Sequence, residues 1–348
     1  MKLRYDTSLK YWGFQTQRAK KVMSETMRFL DLCAGIGGGR LGLESHGLTC
    51  IGYSEIDKDA SHTYRSLYGN EEMALGDLTK INLQNLPHFD ILISGFPCQT
   101  FSIVGKRDGL ADEDQGQIIY HIAKILESAQ NNYFILENVK GLVNHDKGRT
   151  FQIVLELLEQ RGYRVYHAIL NSLDYGVPQM RERIYLVGIK EEIHPKGRDF
   201  RFPPKVPTPP IEDFLCDQRD EFIFDNTHKT YATFQKYLNN KYNHGKYDLE
   251  AILKEDYTVL DTRQSDLRIY KHKVPTLRKG RHGILYTKGG ILRKLSGFEA
   301  LLLQGFSKDY AHKAAAIQTN SKLLSQAGNA MTVNVIEAIS KELLSFTH

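Results

Sequence analysis

From about residue 28 to residue 190, short apolar runs alternate with longer stretches whose apolar positions recur at helical spacing. The runs are Phe29-Leu30-Asp31-Leu32, Cys50-Ile51-Gly52-Tyr53, Asp90 to Ser94, Tyr133-Phe134-Ile135-Leu136, Val165 to Leu170 and Ile184 to Ile189. Runs this short and continuous suit strands buried on both faces. Between two of them, Ile118-Ile119, Ile122 and Ile125-Leu126 fall on one side of a helix. The alternation predicts an α/β fold built on a mostly parallel, doubly wound, Rossmann-like sheet. Ligands on such sheets bind at the carboxyl ends of strands, so the loops after each run are where chemistry is to be sought.

Beyond residue 190 the pattern changes. Residues 194–210 hold six of the ten prolines, which predicts a stiff connector. Residues 217–290 are polar, rich in Lys, Arg, Tyr and Asn, and weakly periodic, so a second, smaller, irregular lobe is expected. From Ser321 to Leu344, the positions Val333, Ile336, Ile339 and Leu343-Leu344 predict a helix returning to the first lobe. The expected division is a basic extension over 1–27 carrying the only tryptophan, Trp12, a cofactor-binding catalytic domain over 28–190, a small lobe over 191–317, and the returning helix over 318–348.

Composition narrows the classes. No apolar run approaches the ~20 residues of a membrane helix, and the charged N-terminus carries no signal-peptide core, so no membrane partner is expected. The four cysteines show no CxxC or CxxH spacing, which argues against zinc and a disulfide framework and for a reducing cytosol. A net charge of +5 permits a polyanionic partner without requiring one.

The candidate chemistry sits where strands end. The loop Asp31-Leu32-Cys33-Ala34-Gly35-Ile36-Gly37-Gly38 follows the first run and opens a helix, letting backbone approach a ligand closely. Glu55, past the second run, is placed to take ribose hydroxyls, and Asp77 ends an expected third strand where it can accept from an adenine amino group. Together they point to an adenosine-bearing ligand. The spaced third glycine of pyrophosphate loops is missing, so S-adenosyl-L-methionine fits better than NAD. Past the Asp90–Ser94 run comes Gly95-Phe96-Pro97-Cys98-Gln99, and past Leu136 comes Glu137-Asn138-Val139. A thiol and a carboxyl group at neighbouring strand ends can add to an electron-poor ring and manage its proton. Gln179-Met180-Arg181-Glu182-Arg183 precedes the last run, with alternate arginines able to fix an exocyclic oxygen.

These segments, with Leu303-Gln304-Gly305-Phe306 and Gly328-Asn329-Ala330, occur in the order seen in the cytosine-C5 DNA methyltransferases of bacterial restriction–modification systems, which the chain closely resembles. The resemblance implies the fold of S-adenosyl-L-methionine-dependent methyltransferases and double-stranded DNA as substrate. Cys98 would add to cytosine C6, Glu137 would hold or protonate N3, and Arg183 would hold O2. Arg181 and Gln99 would support that site. The cofactor would meet Asp31, Cys33, Ala34, Gly35, Ile36, Gly37, Gly38, Glu55, Ile56, Asp77, Leu78, Pro97, Asn329 and Ala330. The target base must be flipped from the stack, and residues 99–117 resemble the lid that closes over it. In the variable lobe, Arg268-Ile269-Tyr270 and Pro275-Thr276-Leu277 resemble two recurring landmarks, making Arg268, Thr276, Arg278 and, on the lid, Ser102 the candidate DNA contacts.

Four departures stand out: Cys33 and Ile56 replace aromatic residues usual beside the adenine, Gln115-Gly116 replaces Arg-Gly, and Gly297-Phe298-Glu299-Ala300 replaces Pro-Arg-Glu-Cys. The resemblance also implies a bacterial, nucleoid-associated enzyme of the cytoplasm, acting as a monomer with a cognate endonuclease working separately. Two alternatives share some of these features: a transfer-RNA cytosine-C5 methyltransferase, and a non-catalytic DNA-binding regulator. Such a regulator would lack the Pro-Cys or Glu-Asn-Val that this chain keeps.

Overall fold

The structure, a computed structural model, describes residues 26–97, 118–129, 131–262, 266–280 and 282–347. Its frame is a seven-stranded sheet built from β1 (Arg28–Leu32), β2 (Thr49–Ser54), β3 (Met73–Ala74), β4 (Ile91–Gly95), β5 (Tyr133–Val139), β6 (Tyr163–Asn171) and β8 (Glu182–Lys190); β7 (Gln179–Met180) lies outside it. The order is β3-β2-β1-β4-β5-β8-β6, parallel except that β8 runs against both its neighbours. The helices between are α1 (Gly38–Glu44), α2 (Lys58–Tyr68), α3 (Ile118–Ala129) and α4 (Arg149–Glu159).

The continuous apolar runs are explained by cover on both faces. Leu30, Leu32, Leu92, Phe134, Leu136 and Leu186 face Ile119, Ile122, Ile125 and Leu126 of α3 and Val154 and Leu158 of α4. Their neighbours Phe29, Ile91, Ile93, Ile135, Tyr185 and Val187 face the opposite layer. Alternate residues of a strand point to opposite faces, so each run supplies both cores at once.

The proline-rich connector lies along this domain. Phe200 is buried in its core, the Tyr175 hydroxyl donates to the Pro203 carbonyl at 2.9 Å, and the Val206 amide donates to the Asp174 carbonyl at 2.9 Å. Beyond it come α5 (Tyr231–Leu238), α6 (Leu249–Leu253) and a four-stranded antiparallel sheet, order β10-β9-β12-β13, of β9 (Thr258–Thr262), β10 (Leu267–Lys271), β12 (Ile284–Lys288) and β13 (Ile291–Lys294). The lobe is more regular than its pattern suggests. Val259, Ile284 and Tyr286 pack toward one core and Leu260, Leu267, Leu285 and Leu292 toward another, so β9 and β12 lack a polar face to alternate with.

Helices α7 (Gly297–Leu302), α8 (Lys308–Ile317) and α9 (Asn320–Asn329) join the lobe to α2. Gly297 permits a close crossing of α7 on α9, since a Cβ there would lie 2.4 Å from Leu323 Cβ. Buried Glu299 caps α7, accepting from the Ser296 amide at 2.9 Å, and also takes the Tyr286 hydroxyl at 2.8 Å and the Asp217 amide at 3.0 Å. The expected return is α10 (Val333–Thr347), which lays Ile336, Ile339 and Leu343 on the sheet. There Ile336 reaches Gly42 of α1 so closely that a Cβ on Gly42 would sit 2.6 Å from its Cβ.

Candidate active site

The sheet register brings two predicted groups together. Glu137 lies two residues before the end of β5, opposite Tyr185, while Arg183 is opposite Val139, the last residue of the strand. Diagonal neighbours on one face of an antiparallel pair are within reach of long side chains. Accordingly Arg183 Nε lies 3.1 Å from Glu137 Oε1, an ion pair whose orientation falls short of a hydrogen bond. Glu137 is 7 % exposed. Its neighbour Asn138 turns to the opposite face, where Nδ2 donates to the Phe96 carbonyl at 2.9 Å. Gly95 pairs with Glu137 across β4–β5, so the segment leading to Cys98 starts beside the carboxylate. Cys98, Gln99, Ser102, and Arg263 and Arg281 of the small lobe lie outside the described residues.

Burial pushes the thiols of Cys33 and Cys50 up to about 12, and that of Cys216 upward as well. A thiol so held is a poor nucleophile at neutral pH. Of the four cysteines, Cys98 is left as the candidate for covalent chemistry.

Arg181 has a different setting from Arg183. It is 2 % exposed, and its guanidinium donates to the carbonyls of Leu277 at 3.1 Å, Gly328 at 3.2 Å and Ala330 at 2.9 Å. Beside it, Gln179 Nε2 donates to the Leu303 carbonyl at 2.7 Å and Oε1 accepts from the Leu277 amide at 3.1 Å.

On the cofactor side, exposure divides the predicted set. Gly35, with φ +57°, has nothing within 4 Å of an added Cβ, and its amide donates to Glu55 Oε2 at 2.8 Å. Glu55 Oε1 accepts from the Asp57 amide at 2.7 Å, so the carboxylate is held at the loop's open side. Ile56 is 75 % exposed, an apolar surface at the same rim. Asp77 lies three residues past the short β3 and caps the turn Leu78–Lys80; Oδ1 accepts from Thr79, and Oδ2 lies 3.4 Å from Lys80 Nζ. These contacts hold its carboxyl below the usual range. Cys33, Pro97 and Asn329 are also partly or fully exposed.

By contrast Ala34, Ile36, Gly37, Gly38, Leu78 and Ala330 are buried and form the wall behind. Gly38 is small because a Cβ would lie 2.3 Å from the Met331 carbonyl oxygen. Asp31 is fully buried, and neither carboxylate oxygen makes a well-formed hydrogen bond. Its carboxyl is pushed up to about 8, by desolvation first. Arg40, the main opposing charge, is already claimed by Glu44 at 2.7 Å and by Glu72, and the Tyr64 hydroxyl only tempers the shift.

In the small lobe, Arg268 is exposed on the edge strand β10. Pro275, which opens the landmark Pro275-Thr276-Leu277, closes β11 (Val274–Pro275), which pairs with β7 in parallel, and Thr276 Oγ1 donates to the Met180 carbonyl at 2.5 Å. Arg278 is exposed one residue past Leu277.

A family model described as C-5 cytosine-specific DNA methylase matches residues 27–345. The chain belongs to the C-5 cytosine-specific DNA methylase family. It is 39 % identical to the type II methyltransferase M.NgoBI of Neisseria gonorrhoeae over 90 % of this chain and 91 % of that protein. It is 33 % identical to the type II methyltransferase M.Bsp6I of Bacillus sp. over 91 % and 98 %. The solved structure of the Entamoeba histolytica methyltransferase EhMeth shares the fold at TM-score 0.65 and 17 % identity, covering 93 % of this chain and 98 % of that one.

Methylases of this family take their methyl group from S-adenosyl-L-methionine, and the rim suits that ligand. Gly35 leaves room for close approach, Glu55 offers a held carboxylate, and Ile56 offers an apolar face. Sequence reasoning named the Leu303–Phe306 segment but gave its buried Gln304 no role. Gln304 Nε2 donates to the Ala327 carbonyl at 2.6 Å, and its Oε1 accepts from Thr332 Oγ1 at 2.9 Å, which lies 2.8 Å from Ser172 Oγ. A glutamine inside the apolar stretch Leu301-Leu302-Leu303-Gln304 was the available signal, since a buried amide needs partners.

Proposed function

We propose that this protein transfers a methyl group from S-adenosyl-L-methionine to C5 of a cytosine flipped out of double-stranded DNA, within a short specific sequence. The observation that carries the reading is the pair of buried Glu137 and half-buried Arg183, set beside the Gly95-Phe96-Pro97 segment that leads to Cys98, in a chain of this family.

Gly35, Glu55 and Ile56 would hold S-adenosyl-L-methionine, which would supply an electrophilic methyl group there. Cys98 adds through sulfur to C6 of the ring while Glu137 hydrogen-bonds or protonates N3, so electron density collects at C5. C5 would take that methyl group, with S-adenosyl-L-homocysteine as the leaving group; a base would then remove the C5 proton, and re-forming the C5–C6 double bond would expel the Cys98 thiolate. Arg183 fixes the Glu137 carboxylate and offers its remaining N–H groups to the cytosine O2. Arg268 reads a base edge, as arginine pairs bidentately with guanine, and Thr276 and Arg278 position the backbone. Among the described residues no helix is long and apolar enough to cross a membrane. We extend the reading to a monomer of the bacterial cytoplasm, protecting DNA against a separate cognate endonuclease.

The test is bisulfite sequencing of plasmid from a methylation-deficient bacterial host expressing the chain. Protected cytosines in one recurring context are expected, and their loss with Cys98→Ser. A fully converted plasmid with soluble protein present would turn the reading toward transfer RNA. In vitro, Glu137→Gln should lower the rate by ~10²-fold or more, the scale of general acid–base catalysis, with little change in cofactor affinity.

A further inference from the structure

Three segments far apart in sequence meet at the Arg181 side chain. Its guanidinium bonds the carbonyl of Leu277, in the small lobe, and those of Gly328 and Ala330, which flank Asn329. All three acceptors are backbone, so the contact reads the placement of the segments rather than their side chains. The joint is also sterically tight. A Cβ on Gly328 would lie 2.4 Å from both Arg278 C and Lys279 N, so the small-lobe backbone rests directly on the end of α9. Gln179, the Thr276–Met180 bond and the β7–β11 pair fasten the same segment from the other side. Two residues along the chain from Arg181, Arg183 holds Glu137.

We propose that Arg181 is a positioning residue that locks the DNA-facing segment 276–278 to the cofactor-side segment 328–330, so that methyl donor and target DNA bind cooperatively. The proposal rests on the functional reading above, in which Thr276 and Arg278 face DNA and Asn329 borders the cofactor. Arginine is suited to the task because its planar fork reaches several acceptors at once, which the compact lysine ammonium cannot do. Burial brings its pKa down to about 10, which still leaves a cation with all its donors at neutral pH. A ligand that orders 328–330 thereby orders 276–278, and linkage requires the reverse effect to be equal.

The experiment measures the Kd of S-adenosylhomocysteine for the full chain by calorimetry, alone and with saturating duplex carrying the context found by bisulfite mapping. In the unaltered protein the duplex should tighten cofactor binding by ~5-fold or more, the lower end of ordinary coupling. In Arg181→Lys and Gly328→Ala that ratio should fall toward one. A merely structural role would weaken both affinities and leave the ratio intact. Hydrogen exchange on the unaltered protein needs no variant to fold: S-adenosylhomocysteine alone should slow exchange at the Leu277 amide. A ratio of one in the unaltered protein, a full ratio in either folded variant, or no protection at Leu277 would overturn the coupling while methylation stood. A fully converted plasmid would remove the functional reading and the coupling with it.

Discussion

Replacing Asp31 by asparagine should change how stability depends on pH. Asp31 is fully buried and its carboxyl is pushed from 3.8 up to about 8, because desolvation outweighs an arginine already shared between two glutamates. In the unfolded chain the group ionises near its ordinary value; in the fold it keeps its proton far longer. Between about pH 4 and pH 8 the folded state therefore binds more protons, and the stability associated with the protonated acid drains away as pH rises. Each unit of pH within that window costs up to ~1.4 kcal/mol, so the span from pH 5.5 to 7.5 costs up to ~3 kcal/mol. Asparagine has no proton to lose. Urea unfolding of both proteins at half-unit steps from pH 5 to 8.5 should show the variant gaining on the parent with rising pH, whatever constant offset the new amide brings. A difference flat across that range would mean that Asp31 is ionised in the fold and that Arg40 outweighs its burial.

Gly38→Ala should lower stability by ~1–3 kcal/mol, because its Cβ meets the Met331 carbonyl oxygen at 2.3 Å and backbone gives way poorly; an unchanged urea midpoint would contradict this. Ile56→Trp should tighten S-adenosylhomocysteine binding by ~2–10-fold, the worth of an added aromatic face, and calorimetry showing weaker binding would take Ile56 out of the cofactor rim. Arg268→Ala should relax preference at one base pair by ~1–3 kcal/mol, read as new contexts in bisulfite maps. A change confined to cofactor affinity would mean that Arg268 does not read DNA.

The sheet was legible because its inner strands are covered on both sides and so read as unbroken apolar runs; the edge strand β6, half-exposed, carries Arg164 and His167 among its apolar residues. Cys50 to Tyr53 grew by one residue at each end in the structure, and Val165 to Leu170 began two residues earlier. Strand direction was not legible: nothing in Ile184-Tyr185-Leu186-Val187 distinguishes the reversed β8 from its parallel neighbours, since burial depends on composition and not on polarity. The small lobe hid its sheet for the same reason, with Val259 and Leu260 adjacent in sequence but serving different cores.

The site was legible as residue types at strand ends and much less so as partnerships. Glu137 and Arg183 could be named, but their pairing depends on a register that only the β5–β8 ladder fixes. Arg181 and Arg183, two positions apart and alike in sequence, divide their work because one guanidinium finds a carboxylate and the other finds only carbonyls. Asp31 and Glu55 both read as cofactor acids, yet only Glu55 keeps its carboxylate at an open edge, tied there by the amides of Gly35 and Asp57. A motif states which side chains are available. Whether one faces a ligand or holds the wall behind it is decided by neighbours far off in sequence, such as Ala330, which lies 149 residues from Arg181.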